Sequence, residues 1–283
     1  MRFAYVLLDE SPVVVAQANE NDDWRRVEFA HDMLDVLNAD WAYVEKSIRN
    51  GQTISADNLR FLAPITQPSK IVAIGLNYMD HCREQNAQPP EKPLIFSKFP
   101  STITGPNTVI QWDPALTNAV DYEAELAVVI GQETRLVTPE SALNYVFGYT
   151  CANDVSARDL QFGDGQWTRG KSLDTFCPLG PVIVTTHEIP DPQKLAIRCE
   201  VNGQALQNSS TSQMIFDVKN IVAYASRAFT LYPGDIILTG TPAGVGNFRN
   251  PKVMLHDGDR VMVEIERIGR LRNTCREITM SAM

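Results

Sequence analysis

No Cys-x-x-Cys pair occurs in this 283-residue chain, and its five cysteines, Cys82, Cys151, Cys177, Cys199 and Cys275, are scattered and odd in number. That argues against a disulfide framework and a thiolate zinc site, and a reducing compartment fits best. No apolar run approaches the ~20 residues of a membrane helix. The apolar stretch 3–8 is ended at once by Asp9 and Glu10 with no cleavage pattern behind it, so it reads as a strand and not a secretion signal. A cytoplasmic protein is expected; a mature organellar form stripped of its transit peptide has the same character. Lys and Arg form no cluster with interleaved aromatics, and the formal net charge is −9, which argues against a nucleic acid or an anionic membrane as partner. Neither Gly-x-Ser-x-Gly nor His-Glu-x-x-His occurs, which removes the commonest serine-hydrolase and zinc-protease readings.

What is present is an ordinary globular composition, with 44% hydrophobic and 21% charged residues, so neither disorder nor a coiled coil is indicated. The texture changes near Pro64 and Pro68, two prolines within five residues that mark a linker. A small N-terminal α+β domain is expected over 1–68 and a larger catalytic domain over 69–283. From Lys70 onward the pattern is short Val- and Ile-rich runs bounded by Gly and Pro: 71–74, 125–130, 182–185, 197–201, 236–239 and 261–265. That is the signature of many strands, so the fold class is α+β and β-rich. Helices are few. One opens at Thr138-Pro139-Glu140 and runs toward Tyr145; another runs from Phe216 or Asp217 to about Ala228, with Ile221, Ala225 and Ala228 at core spacing.

The most informative stretch is 121–131, Asp-Tyr-Glu-Ala-Glu-Leu-Ala-Val-Val-Ile-Gly. In a strand, Glu123 and Glu125 project from one face about 7 Å apart. Two like charges on a half-buried face repel and resist desolvation, so they need a cation between them or water on both. Asp154, at the end of another apolar run, is a third candidate ligand; alternatively it caps the following turn or pairs with Arg158. Three carboxylates with no histidine beside them make a hard-oxygen site, suited to Mg²⁺, Mn²⁺ or Ca²⁺ and ill suited to Zn²⁺. If the stretch 77–84 is helical, His81 and Glu84 are i, i+3 neighbours, either a general-base dyad or a surface pair. Lys171, among turn residues, is either a solvated loop charge or a cation that neutralises an enolate or carboxylate. The glycines of 240–246 bring backbone N–H groups toward an anionic ligand. No Gly-Lys-Ser/Thr follows them, so this is not a Walker loop, and Pro251 rather than a helix comes next, so it is not a dinucleotide fingerprint. Residues 156–167, with Gly163 and Gly165, read as a mobile flap.

In this order, the segments GLNYMDHCREQ, DYEAELAVVIG, NDVSARDLQ, RGKSLDTFCPLGP and YPGDIILTGTPAGVG resemble the fumarylacetoacetate hydrolase superfamily over roughly residues 68–278. The 77–85 stretch, the Gln-Trp at 166–167 and DTFCPLGP look closest to the branch of fumarylacetoacetate hydrolase domain-containing protein 2. The resemblance implies a mixed β-roll, usually a homodimer, that binds Mg²⁺ or Mn²⁺ through Glu123, Glu125 and Asp154. It implies His81 and Glu84 on a short lid helix, Lys171 and Gln161 completing the catalytic pocket, and Thr241 with Gly240 meeting the substrate carboxylate. Two positions depart from family patterns. Ala243 stands where fumarylacetoacetase has a catalytic glutamate, and Leu76 stands where the acylpyruvase-like branch often has a basic residue.

The implied chemistry is metal-held enolate formation from a small 2-oxo or 2,4-dioxo acid. In the hydrolytic version His81, oriented by Glu84, takes a proton from a water that attacks a second carbonyl, and a C–C bond breaks toward the enolate. Acylpyruvate-type hydrolysis is the first expectation, oxaloacetate tautomerisation or decarboxylation the second. A catalytically silent metal- or ligand-binding scaffold is the third.

Overall fold

A computed structural model describes residues 1–279; positions 280–283, the end of the expected catalytic unit, lie outside the described residues. Among the described residues the chain is β-rich, built on a 12-stranded mixed sheet, a five-stranded sheet and a short two-stranded pair. The expected fold class is the one observed.

The strand Ala124–Ile130 lies at the centre of the large sheet, hydrogen-bonded to Val146–Asn153 on one side and Ile236–Leu238 on the other. Every residue in it is buried, which is why it reads as a continuous apolar run. Its alternation is nonetheless strict. Leu126, Val128 and Ile130 point into one hydrophobic cluster, while Ala127 and Val129 point into the other. Burying each Leu, Val or Ile contributes about 1.5–3 kcal/mol, so a register slip, which would exchange the two faces, is strongly opposed. Glu125 has the parity of Ala127 and Val129, and this fixed register is what aims it.

The expected strands are found at Ile71–Gly75, Ala196–Val201, Ile236–Leu238 and Arg260–Ile265, and 182–185 is the end of a longer strand, Cys177–Thr185. The helix expected from Thr138 is a single α-turn, Pro139–Ala142, continued by a 3-10 turn, and the Thr138 side chain makes no capping bond. The helix Val218–Ala228 starts where expected, with the Asp217 carboxylate accepting from the Asn220 N–H. Ile221 and Ala225 are buried in it, but Ala228 is exposed, because it falls in the last turn beside Arg227 as the helix leaves the core.

In space, residues 1–68 extend the main sheet. Arg2–Leu8 pairs with Cys177–Thr185 through Arg2↔Val184 and Phe3↔Ile183, and Ser11–Gln17, Trp24–Arg26 and Thr53–Ile54 follow toward the edge. No helix among the described residues is long and apolar enough to cross a membrane.

Candidate active site

One wall of the site is acidic. Glu123 immediately precedes the central strand, and Asp154 immediately follows the neighbouring strand Val146–Asn153. Two bonds splint these ends: the Asp154 N–H donates to the Glu123 carbonyl (2.9 Å), and the Glu123 N–H donates to Asn153 Oδ1 (2.9 Å). The antiparallel pairing thus delivers a residue 31 and 29 positions away to the pair read from the sequence. One carboxylate oxygen from each of Glu123, Glu125 and Asp154 lies within 4.8 Å of the others, and all three residues are buried.

Three buried cations face them. Lys171 Nζ donates to Glu123 Oε2 and Asp154 Oδ2, both at 2.8 Å, and lies 5.2 Å from the Phe96 ring centre. Lys98 Nζ donates to Asp154 Oδ1 at 2.6 Å. Arg158 bridges Asp121 (2.8 Å) and Glu123 (2.7 Å). The Asp154–Arg158 pair offered by the four-residue spacing is therefore not formed, because the Arg158 side chain turns toward Asp121. Lys171 is not a solvated loop charge, being 2% exposed. Counting Asp121, Glu123, Glu125 and Asp154 against Lys98, Arg158 and Lys171 leaves one negative charge in excess.

The excess falls on Glu125, whose carboxylate makes no ion pair and accepts from the Gly240 N–H at 2.7 Å. Burial pushes its carboxyl well above the ordinary range, with Asp154 and Glu123 adding to the rise. Burial acts the same way on Glu123, but Lys171 and Arg158 outweigh it and hold that carboxyl down at about 2. Burial opposes the Lys171 ammonium, and Asp154 and Glu123 overcome it, so its pKa is raised. Three converging carboxylates with one charge uncompensated and no nitrogen or sulfur donor among them fit a hard divalent cation.

The facing wall carries the His81–Glu84 pair. Strand Ile71–Gly75 leads through Leu76, at φ 52°, into the helix Met79–Glu84. Asn77 fastens this turn: its side-chain amide donates to the carbonyls of Thr239 (2.8 Å) and Phe216 (3.0 Å), and its Oδ1 accepts from the Phe216 N–H (2.9 Å). Of the 77–84 stretch only Met79–Glu84 is helical, which is enough for the dyad, and His81 Nδ1 lies 2.8 Å from Glu84 Oε2. His81 is 6% exposed, so the surface-pair alternative does not apply. Its ring packs edge-on against Phe248 at 5.9 Å.

The glycine loop joins the two walls. Its N–H groups, expected to meet an anionic ligand, meet protein carboxylates: Gly240 N donates to Glu125, Gly244 N to Glu84 Oε1 (2.8 Å), and Gly246 N and Asn247 N to the two oxygens of Asp121 (2.7 and 3.0 Å). Thr241 donates its hydroxyl to the Ala124 carbonyl (2.9 Å) and accepts from Gln207 Nε2 (2.8 Å). Gly240 sits at φ 94°, where a Cβ would stand 2.9 Å from Asn77 Cβ. At Gly246 a Cβ would collide with the Val253 carbonyl. These close approaches require glycine.

Between the walls lies a cavity of about 70 Å³, lined by His81, Gln85, Glu123, Glu125, Arg158, Gln161, Lys171 and Thr241 with Leu76, Phe96, Phe162, Trp167 and Phe248. A larger hollow of about 870 Å³ near Trp41 and His187 lacks such a set of charges. The segment read as a flap is built structure: Ser156–Ala157 pairs with Val120–Asp121, and the helix Arg158–Gly163 buries Arg158 and Gln161, whose Oε1 accepts from Arg158 at 3.0 Å. Residues 165–172 also spell Gly-x-x-x-x-Gly-Lys-Ser. The helix Arg158–Gly163, not a strand, precedes them, and the lysine is spent on carboxylates, so the string forms no phosphate loop. Sequence reasoning missed Lys98, Asp121 and Gln85. The first two hold the acidic wall from 56 and 37 residues away from their partners, with no local pattern to announce them.

The family profile described as fumarylacetoacetate (FAA) hydrolase C-terminal matches residues 70–276. The chain belongs to this family. Family membership is supported by curated relatives, among them the oxaloacetate tautomerase fahd2, mitochondrial, of Xenopus laevis, 51% identical over 226 residues, 79% of this chain and 70% of that protein. The human oxaloacetate tautomerase FAHD2A, mitochondrial, is 50% identical over 215 residues, 75% of this chain and 68% of that protein. These relatives lie in the branch to which the motifs pointed. Among solved structures, the fumarylacetoacetate hydrolase of Exiguobacterium antarcticum superposes with a TM-score of 0.86 at 38% identity, covering 98% of this chain and 100% of that one. The 5-carboxymethyl-2-hydroxymuconate delta-isomerase of Mycobacterium smegmatis gives 0.81 at 38% identity, with the same two coverages. The chain is an enzyme of the fumarylacetoacetate hydrolase family with a buried acidic triad able to hold a metal ion.

Proposed function

We propose that this enzyme is a divalent-metal-dependent tautomerase of small 2-oxo acids, with oxaloacetate as the substrate to test first. The observation that carries the reading is that His81, held by Glu84, lines the same small cavity as Glu123 and Glu125 of the acidic triad, an acid–base group opposite a cation site. The names of the relatives support proton transfer over C–C hydrolysis and so reverse the order in which the sequence placed the two.

Glu123, Glu125 and Asp154 would hold Mg²⁺ or Mn²⁺. The cation, when bound, supplies Lewis-acid stabilisation of negative charge developing on the 2-oxo oxygen. Glu84 can only accept, so His81 carries its hydrogen on Nδ1 and offers the lone pair of Nε2. That nitrogen takes a proton from C3; the C–H electron pair becomes the C2–C3 double bond, and the carbonyl pair moves onto the oxygen, which takes up a proton to give the enol. The reverse sequence gives the ketone. Lys171 and Arg158 place positive charge beside the reacting acid, Gln161 keeps Arg158 in place, and Thr241 and Gly240 position the loop beneath the substrate carboxylate. Trp167, Phe96 and Phe162 give the cavity an apolar stretch of wall. We place the enzyme in a reducing interior, the cytosol or a mitochondrion, the latter being the place the relatives' names give, where its five buried free thiols are stable; a homodimer is the proposed assembly.

The test follows the ultraviolet absorbance of enol-oxaloacetate with Mg²⁺ or Mn²⁺ present, beside loss of acetylpyruvate. Accelerated ketonisation with little acetylpyruvate loss supports the reading; acetylpyruvate cleavage without tautomerisation overturns it in favour of hydrolysis.

A further inference from the structure

Gln85, the residue that ends the helix Met79–Glu84, places its side-chain amide nitrogen 2.6 Å from His81 Nε2. It also lines the cavity. Nothing in the mechanism above uses it, yet it touches the one atom on which both versions of the chemistry depend.

The protonation pattern follows from the partners. Glu84 accepts at Nδ1, so the neutral imidazole bears its hydrogen there and its lone pair at Nε2. An amide NH₂ is the complementary donor to that lone pair. When Nε2 has taken a proton, the same side chain can present its carbonyl oxygen instead. Gln85 can therefore accompany a proton that shuttles on and off Nε2.

Hydrolysis asks something different of this nitrogen. A nucleophilic water must sit within hydrogen-bond distance of Nε2, about 2.6–3.2 Å, while it attacks a carbonyl. The Gln85 amide already stands at that distance. Proton transfer asks this lone pair to reach only the bound acid, which can push the amide aside as it enters, whereas hydrolysis needs a water beside Nε2 in addition to the bound acid, in a cavity of about 70 Å³.

We propose that Gln85 is a positioning residue that selects the reaction type: by filling the space beside His81 Nε2 it denies the berth to a hydrolytic water and biases the site toward proton transfer. This deepens the tautomerase reading and rests on it. The prediction is chemical rather than structural. Gln85→Ala vacates the amide's place and admits water, whereas Gln85→Met removes the donor but keeps the bulk.

The experiment measures kcat and KM for oxaloacetate ketonisation and for acetylpyruvate cleavage in the wild-type chain and both variants, with Mn²⁺ affinity and thermal midpoint as controls on folding. The expected result is a rise of tenfold or more in the ratio of cleavage to ketonisation in Gln85→Ala, carried by kcat and not KM. Gln85→Met should leave the ratio near the wild-type value. An unchanged ratio in Gln85→Ala, with Mn²⁺ still bound, overturns the proposal while the tautomerase reading stands. An equal rise in both variants overturns the blocking argument. A wild-type chain that ketonises nothing rejects the tautomerase reading and, with it, this one.

Discussion

Lys98 Nζ stands 2.6 Å from Asp154 Oδ1, and both side chains are wholly excluded from solvent. Lys98 also donates to the carbonyls of Val155 and Lys171, so one ammonium ties the acidic wall to the segment that carries the second lysine. Lys171 lines the cavity, whereas Lys98 does not.

Lys98→Met should therefore act on the fold. Removing one partner of a buried ion pair leaves the other uncompensated and costs about 3–5 kcal/mol, read as a lower denaturant midpoint. Lys171→Met should show most of its loss in turnover. A Lys98→Met protein as stable as the parent would mean that Asp154 does not rely on it.

Glu123 and Glu125 give opposite pH dependences. Burial opposes the charge of Glu123, but Lys171 and Arg158 hold its carboxyl at about 2 against an ordinary 4.5, so its contribution is present above 4.5 and is lost as pH falls toward 2. Glu125 is raised, first by burial and then by Asp154 and Glu123, so its contribution is complete below 4.5 and is lost as pH climbs through the raised value. Mn²⁺ should abolish the loss on the alkaline side. It should also displace a proton from Glu125 in weakly acidic buffer, giving a calorimetric binding enthalpy that varies with the buffer's heat of ionisation. The same enthalpy in two such buffers would contradict this.

His81→Ala should lower turnover by about 10²–10⁴-fold, the range of a single acid–base group, while Mn²⁺ binding persists. Glu84→Gln should cost less, since an amide can still hold Nδ1 or Gly244 N, but not both as the carboxylate does. Turnover in His81→Ala equal to that of the parent would remove the histidine from the mechanism.

Gly246→Ala should be far worse than its size suggests. The added carbon collides with the Val253 carbonyl and stands 2.7 Å from Asp121 Oδ1, the acid that steadies Arg158. A loss of more than about 1 kcal/mol is expected, with a fall in Mn²⁺ affinity as Arg158 shifts on Glu123.

The strands, the Glu123/Glu125 pair and the His81–Glu84 dyad were legible because each is local: period two, then a spacing of three. Asp154 was legible as a candidate only because it ends an apolar run. Lys98 and Asp121, the partner of Arg158, were not, since these pairs meet across 56 and 37 residues and a buried lysine looks like any other in sequence. The glycines of 240–246 signalled close backbone approach correctly, but not that protein carboxylates would be the anions approached. Ala228 failed for a different reason: helical periodicity gives the face, and only the packing says where the core ends.

Because Gly240 holds Glu125 while Gly244, four residues on, holds Glu84, the proposed ion-binding half and the proposed proton-handling half of this enzyme hang from one short hinge pin. Attempts to redirect the enzyme toward new acids by randomising that loop should yield mostly dead clones, whereas libraries at Phe162, Trp167 and Phe248 can reshape the entrance and spare the machinery.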